Sequence, residues 1–287
     1  MLNKTIEFLS SLKLSLICLF FYFILVFIGT IDQVNLGIFY TQKKYFNSLF
    51  VTSSFYGVSI PWFPGGVLLG IILLVNLSFA SIFKLKWKVS NIGLILSHFG
   101  LIFLLLGAGL TSCISTESQM SIKEGESSNF SQDPRRNELA IFDVTNIGYD
   151  FLVSIPDYYL KKNKTISHDT LPFTILVEDY YQNSQLTDLD TAKNPRIDKG
   201  IGQHIGIKPI NPFVDDELRD NSSSIIKLFF DQNPIGSWLL SLDFNGGQEV
   251  NIANRKFILM LRPMRYYYPF EIKLNDFKHD IYPGTLI

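Results

Sequence analysis

The sequence predicts a membrane protein: three transmembrane α-helices followed by a mainly β extracytoplasmic domain. Three observations predict it. The 287-residue chain is 47% hydrophobic with 25 Phe and a mean hydropathy of +0.20, too apolar for an ordinary soluble domain. Charge is unevenly divided: residues 1–111 carry seven lysines against Glu7 and Asp32, a net of +5, so the remainder of a chain of net charge −1 carries −6. Three apolar runs approach or reach the roughly 18–20 residues that a helix needs to cross about 30 Å of hydrocarbon. The hydrophobic fraction excludes a disordered or collagen-like chain, two cysteines exclude a disulfide scaffold, and the lack of a basic stripe argues against nucleic acid as a partner.

The membrane domain is expected over 1–111, with spans near 14–31, 62–83 and 92–110, none containing Lys, Arg, Asp or Glu. The first is too long for the apolar region of a signal peptide, and Gly29-Thr30-Ile31-Asp32 after it offers no small-residue cleavage site, so it reads as a retained helix. Between the first two spans, Leu36, Phe39, Phe46 and Phe50 recur at helical spacing opposite Gln42, Lys43 and Lys44. This predicts an interfacial helix over about 35–50, lying in the headgroup region or packed on the tops of the spans. Lys84, Lys86 and Lys88 crowd the short connection between the second and third spans. The positive-inside rule puts that loop and the N-terminus in the cytoplasm and everything after the third span outside, with Lys43 and Lys44 as the opposing count.

From residue 112 onward the pattern changes to short β-type segments between turn-rich stretches. Strands are expected over 118–123, 139–144, 173–180, 225–230, 238–244 and 257–264, with another near 270–274. Asp133-Pro134, Asn245-Gly246-Gly247 and Pro283-Gly284 mark turns, and 183–222 reads as a long polar interval with a mobile loop.

Among residues that carry chemistry, His98 is the unusual one, because it falls within the third apolar run. An imidazole facing lipid would leave its nitrogens without partners, so it should face another helix, a cavity or a ligand. Gly93, Ser97, Gly100 and Gly107 form a small-residue strip that lets a second helix approach, with His98 expected to flank it. An interhelical hydrogen bond, for example to Asn76 of the second span, a proton relay, and metal or haem ligation all satisfy these observations. His168, His204 and His279 stand singly in polar context and read as solvated. No C-x-x-C, C-x-x-C-H, G-x-S-x-G, H-E-x-x-H, Walker loop or dinucleotide fingerprint occurs, so no hydrolase, zinc or nucleotide chemistry has a foothold. Leu110-Thr111-Ser112-Cys113 matches a lipoprotein cleavage box but follows a third span and reads as coincidence. Tyr266-Tyr267-Tyr268 and Arg135-Arg136 are compatible with a partner surface or with a strand edge and a solvated turn.

An ordered set of residues nevertheless resembles a known family. Gly29-Thr30, Gln33, Gly37, Gln42, Tyr45-Phe46, Ser48, Pro64-Gly65-Gly66, Asn76-Leu77, Gly93, His98, Gly100 and Gly107 are similar to positions in ResB, the partner of CcsA (ResC) in system II cytochrome c biogenesis. Glu124 to Asn129, Arg135-Arg136 and Tyr282 to Thr285 are similar to further ResB-like blocks. The resemblance is dense over 25–110 and thin over 145–260. It implies a non-catalytic or co-catalytic subunit of a holocytochrome c synthase complex. With a CcsA-like membrane subunit, such a protein moves haem b across the membrane and presents it, reduced, to apocytochrome c. It also implies that His98 is an axial haem ligand facing a histidine of that partner, in the inner membrane of a bacterium with the large domain periplasmic; a thylakoid lumen is the other compartment that "outside" can denote. ResB-like proteins carry a fourth span after the outer domain, which this sequence does not show before Ile287, as expected of a short variant or an incomplete chain. The competing expectation is a membrane-tethered ligand-binding or sensor module with no haem role.

Overall fold

The computed structural model describes residues 2–55, 58–146, 151–189, 194–213 and 218–278. The chain forms two compact units that divide after Thr116. Among the described residues three helices are long and apolar enough to cross a membrane, and a mainly β unit follows them, as the composition predicts.

The first unit opens with α1 (Leu2–Leu9) and α2 (Leu12–Thr41). Ser11 caps α2, its hydroxyl accepting the Leu14 N–H at 3.2 Å, which satisfies one of the donors orphaned at a helix start. Gly37 breaks α2 with φ 75° and ψ 169°, a backbone conformation that costs glycine least. Beyond it a short helix over 38–46, ending in a π-helical segment (Gln42–Phe46), packs back on the end of the span. The Phe46 ring lies 3.4 Å from where a Cβ on Gly29 would stand, and Lys44 and Tyr45 both reach the Asp32 carboxylate, at 2.8 and 2.6 Å.

The helix expected over 35–50 is therefore shorter and interrupted. Phe50 belongs to β1 (Phe50–Phe55), which pairs with β2 (Val58–Pro64) in an antiparallel hairpin. Trp62 and Phe63, expected to open the second span, lie in β2, and α3 runs Gly66–Phe83. The tight start of α3 explains Pro64-Gly65-Gly66. A Cβ on Gly65 would stand 2.1 Å from the Ser48 carbonyl oxygen, and one on Gly66 2.6 Å from that of Phe46. The third span, α4 (Ile92–Ile114), extends past its expected end at Leu110.

The second unit is a sandwich of two four-stranded antiparallel sheets. One contains, in spatial order, β11 (Gln248–Ile252), β12 (Arg255–Lys273), β3 (Ser127–Asp143) and β4 (Phe151–Pro156). The other contains β10 (Asn233–Ser241), β9 (Ser223–Phe230), β6 (Thr174–Tyr181) and β5 (Lys164–Ile166). Alternate residues point inward, and Leu139, Ile141, Phe257 and Leu259 of one sheet form a common core with Ile175, Ile226, Leu228 and Leu240 of the other. Phe173 meets Phe257 edge to face at 5.1 Å.

Several strand expectations change. No strand forms over 118–123, where Gln119 makes an isolated bridge to Gln132. The segments near 257–264 and 270–274 join into β12, kept continuous by bulges. Asp133-Pro134 lies inside β3, where the Asp133 carboxylate accepts the N–H groups of Arg135 and Arg136 at 2.9 and 2.8 Å. The interval 183–222 contains a hairpin of β7 (Ser184–Asp188) and β8 (Ile205–Pro209). Leu186, Ile205 and Ile207 of that hairpin pack on Ile225 and Leu239, covering the second face of the β9–β10 pair. Pro283-Gly284 lies outside the described residues.

Candidate functional site

His98 sits two turns into α4, half-buried, on the side of the helix that carries the half-buried Ile95, Phe99, Ile102 and Leu105. Its Nδ1 lies 2.9 Å from the carbonyl oxygen of Leu94. A carbonyl can only accept, so Nδ1 carries the proton and donates. In the neutral ring this assigns the free lone pair to Nε2, the tautomer a metal-ligating histidine adopts when its other nitrogen is tied to the backbone.

Asn76 is not the partner of His98. Its Oδ1 accepts from the Ser15 hydroxyl at 2.5 Å and its Nδ2 donates to the carbonyls of Leu9 and Ser11 at 2.6 and 3.1 Å. With its carboxamide used in this way and its side chain 2% exposed, Asn76 ties α3 to the elbow between α1 and α2.

The small-residue strip also needs correction. At about 100° per residue, Gly93, Gly100 and Gly107 lie about 140°, 160° and 180° around the helix from His98, and Ser97 about 100°. They do not flank it. A Cβ added to Gly93, Gly100 or Gly107 would meet nothing within 4 Å, so the strip is an open face of α4. The Ser97 hydroxyl turns back to the Gly93 carbonyl at 2.9 Å. The helix thus presents two separate features, a glycine face and a histidine face.

At the other end of α2 the structure brings together residues scattered in sequence. Gly29, Thr30, Gln33, Gln42 and Phe46 line one cleft of about 310 Å³. Thr41 and Asn47, which sequence reasoning passed over, line it too. Their signal was available only as polar residues between the apolar positions of a short helix. Thr41 is 2% exposed and its Oγ1 has no hydrogen-bond partner. Beside this cleft is a second of about 490 Å³ between α3 and α4, lined largely by apolar side chains and sharing Phe46 and Asn47 with the first.

In the β unit, Tyr266 donates to the Asp133 carboxylate at 3.2 Å, Tyr267 packs on Phe130, and the Tyr268 hydroxyl bonds that of Ser131 at 2.8 Å. The three tyrosines thus knit β12 to β3. His168 and His204 are exposed, and His279 lies outside the described residues. Among the described residues no three His, Cys, Asp or Glu side chains gather as a metal site. Cys18 is buried and Cys113 exposed, both as free thiols. No protein-family model matches this chain, and no curated protein matches it either.

Proposed function

We propose that this chain is a haem-delivery subunit of a cytochrome c maturation complex. With a CcsA/ResC-like membrane partner it carries haem b across the membrane and presents it to apocytochrome c. The observation that carries the reading is the imidazole of His98, fixed by the Leu94 carbonyl so that Nε2 is the free nitrogen. That donor fits an iron ligand: one nitrogen whose lone pair is free, pre-oriented by the backbone, in an apolar run without charged residues. His98 would hold the haem iron from this chain, together with a histidine of the partner. Haem held there would supply the vinyl groups across which the C-x-x-C-H thiols of apocytochrome c add.

The residues of this chain then act by position. Leu94 holds the ring, the neighbouring Ile95 and Ile102 exclude water, and the open glycine face of α4 admits a helix of the assembly without sharing that contact with His98. In the same reading the N-terminus and the exposed Lys84, Lys86 and Lys88 are cytoplasmic, the protein resides in a bacterial inner membrane, and the β unit is periplasmic.

The test is the absorption spectrum of the chain purified with its membrane partner. A bis-histidine haem spectrum is expected, lost in His98→Ala and restored by added imidazole. Haem content unchanged in His98→Ala would overturn the assignment and favour a tethered sensor.

A further inference from the structure

The geometry points to a binding site for a membrane amphiphile, an uncharged oxygen-bearing head on a hydrocarbon tail, in the two adjoining clefts beside Phe46 and Asn47. The head cleft, about 310 Å³, is lined by Thr30, Gln33, Thr41, Gln42 and Asn47 among others, polar residues with no charged one. The Thr30 hydroxyl donates to the Val26 carbonyl and keeps its capacity to accept, and the Thr41 hydroxyl lies buried behind the wall. Such a wall can donate to and accept from a carbonyl, ester or sugar hydroxyl, but has no cation for a phosphate or a carboxylate. The Thr41 hydroxyl is buried without a partner, a state costly enough that few native polar groups remain in it. A ligand oxygen in this cleft is the natural acceptor once the rotamer of Thr41 turns toward it. The π-helical segment Gln42–Phe46 is a second departure from regular structure at the same place, of a kind that recurs at functional sites.

The tail cleft, about 490 Å³, is bounded by Val67, Gly70 and Leu74 of α3 and Leu105 and Gly109 of α4. Depth agrees with this division. Gly29 to Gln33 lie about 26–32 Å along α2 from Leu12, the thickness of the hydrocarbon layer, so the head cleft falls at the interface. Leu74 stands eight residues into α3 from Gly66, about 12 Å deeper, where only an apolar chain is at home. Polarity, volume and depth therefore match one kind of occupant, whether it is a prenylquinone or a neutral glycolipid. The inference is independent of haem and of His98.

The full-length chain in nanodiscs tests it with two probes, decylubiquinone and a monoglucosyl diacylglycerol, bound stoichiometrically and read by native mass spectrometry. Saturable binding of one probe is expected, and which one identifies the source. Thr41→Val should weaken it about 5–10-fold, as loss of one buried hydrogen bond does, and Thr41→Ser should retain it. Gly109→Leu, at a position where a Cβ meets nothing within 4 Å, should fill the cleft and abolish it. His98→Ala should bind as the parent does, which separates failure of this inference from failure of the haem assignment. Absence of saturable binding by both probes, or binding equal in Thr41→Val, Gly109→Leu and the parent, overturns the proposal.

Discussion

A charge is expensive to bury, and the β unit buries one pair almost completely. Arg262 and Glu138 are 6% and 1% exposed, joined by the arginine Nε at 2.7 Å. Ser154 donates to the second Glu138 oxygen, and Arg262 stacks over Phe142. Replacing such a pair by apolar residues is often neutral, but removing one member leaves the other charged and dry. Glu138→Ala should therefore cost about 3–5 kcal/mol, read as a lowered denaturant midpoint with near-UV circular dichroism following the sandwich. Asn76 gives a second prediction at this scale. Asn76→Leu strips partners from two backbone carbonyls and the Ser15 hydroxyl and should lower stability by about 1–3 kcal/mol. Because Asn76 does not touch His98, the proposed haem ligation predicts that the spectrum of the Asn76→Leu complex matches the parent's.

At the scale of elements, the start of α3 invites a paired test. Gly29→Ala places a methyl in ordinary contact with the Phe46 ring at 3.4 Å, which a small ring movement accommodates. Gly66→Ala drives a methyl to 2.6 Å from the Phe46 carbonyl oxygen, where backbone must move. Overpacking of that kind costs about 1–3 kcal/mol, so Gly66→Ala should unfold at clearly lower temperature than Gly29→Ala in a thermal scan of the detergent-solubilised chain. The same elements show what was legible. The spans were, because length and apolarity alone define them. The hairpin at 50–64 was not, since Trp62 and Phe63 continue the apolar run of α3 and periodicity cannot separate a strand from the helix that follows. The β7–β8 hairpin was missed because its apolar residues, Leu186, Ile205 and Ile207 among them, are spread thinly through a polar segment. Over 118–123 the alternation is real, yet pairing is set by the neighbouring strand, and only Gln119 finds one. At the site, the position of His98 within a span was legible. The angle between it and the glycine strip was countable from the sequence, but the ties of Asn76 to the α1–α2 elbow needed coordinates.

Across the whole molecule the two units answer to different solvents, and acidity is a variable that acts on the water-facing one. Burial alone would raise the Asp179 carboxyl, but hydrogen bonds from Lys162 and Arg196 outweigh it and hold the group below the usual carboxylate range. Asp143 is likewise held down, against its burial, by Thr145 and Arg255. For both, the unfolded chain takes up protons first as pH falls. Their contribution is complete above the unfolded value near 4 and is lost as pH drops through the folded values. Asp157 has the opposite sign. Burial pushes its carboxyl up, despite the Asn137 N–H that it accepts, so its contribution is complete below the unfolded value and disappears as pH rises through the folded one. The native sandwich thus carries an internal offset in the acid range. Asp157→Asn, which keeps an acceptor for Asn137, should remove it: the variant should match or exceed the parent in denaturant midpoint at pH 7. It should then lose stability more steeply between about pH 5 and pH 3, because the downward-shifted Asp143 and Asp179 would titrate without that offset. Parallel curves for parent and variant over that interval would show that Asp157 titrates alike in the folded and unfolded chain.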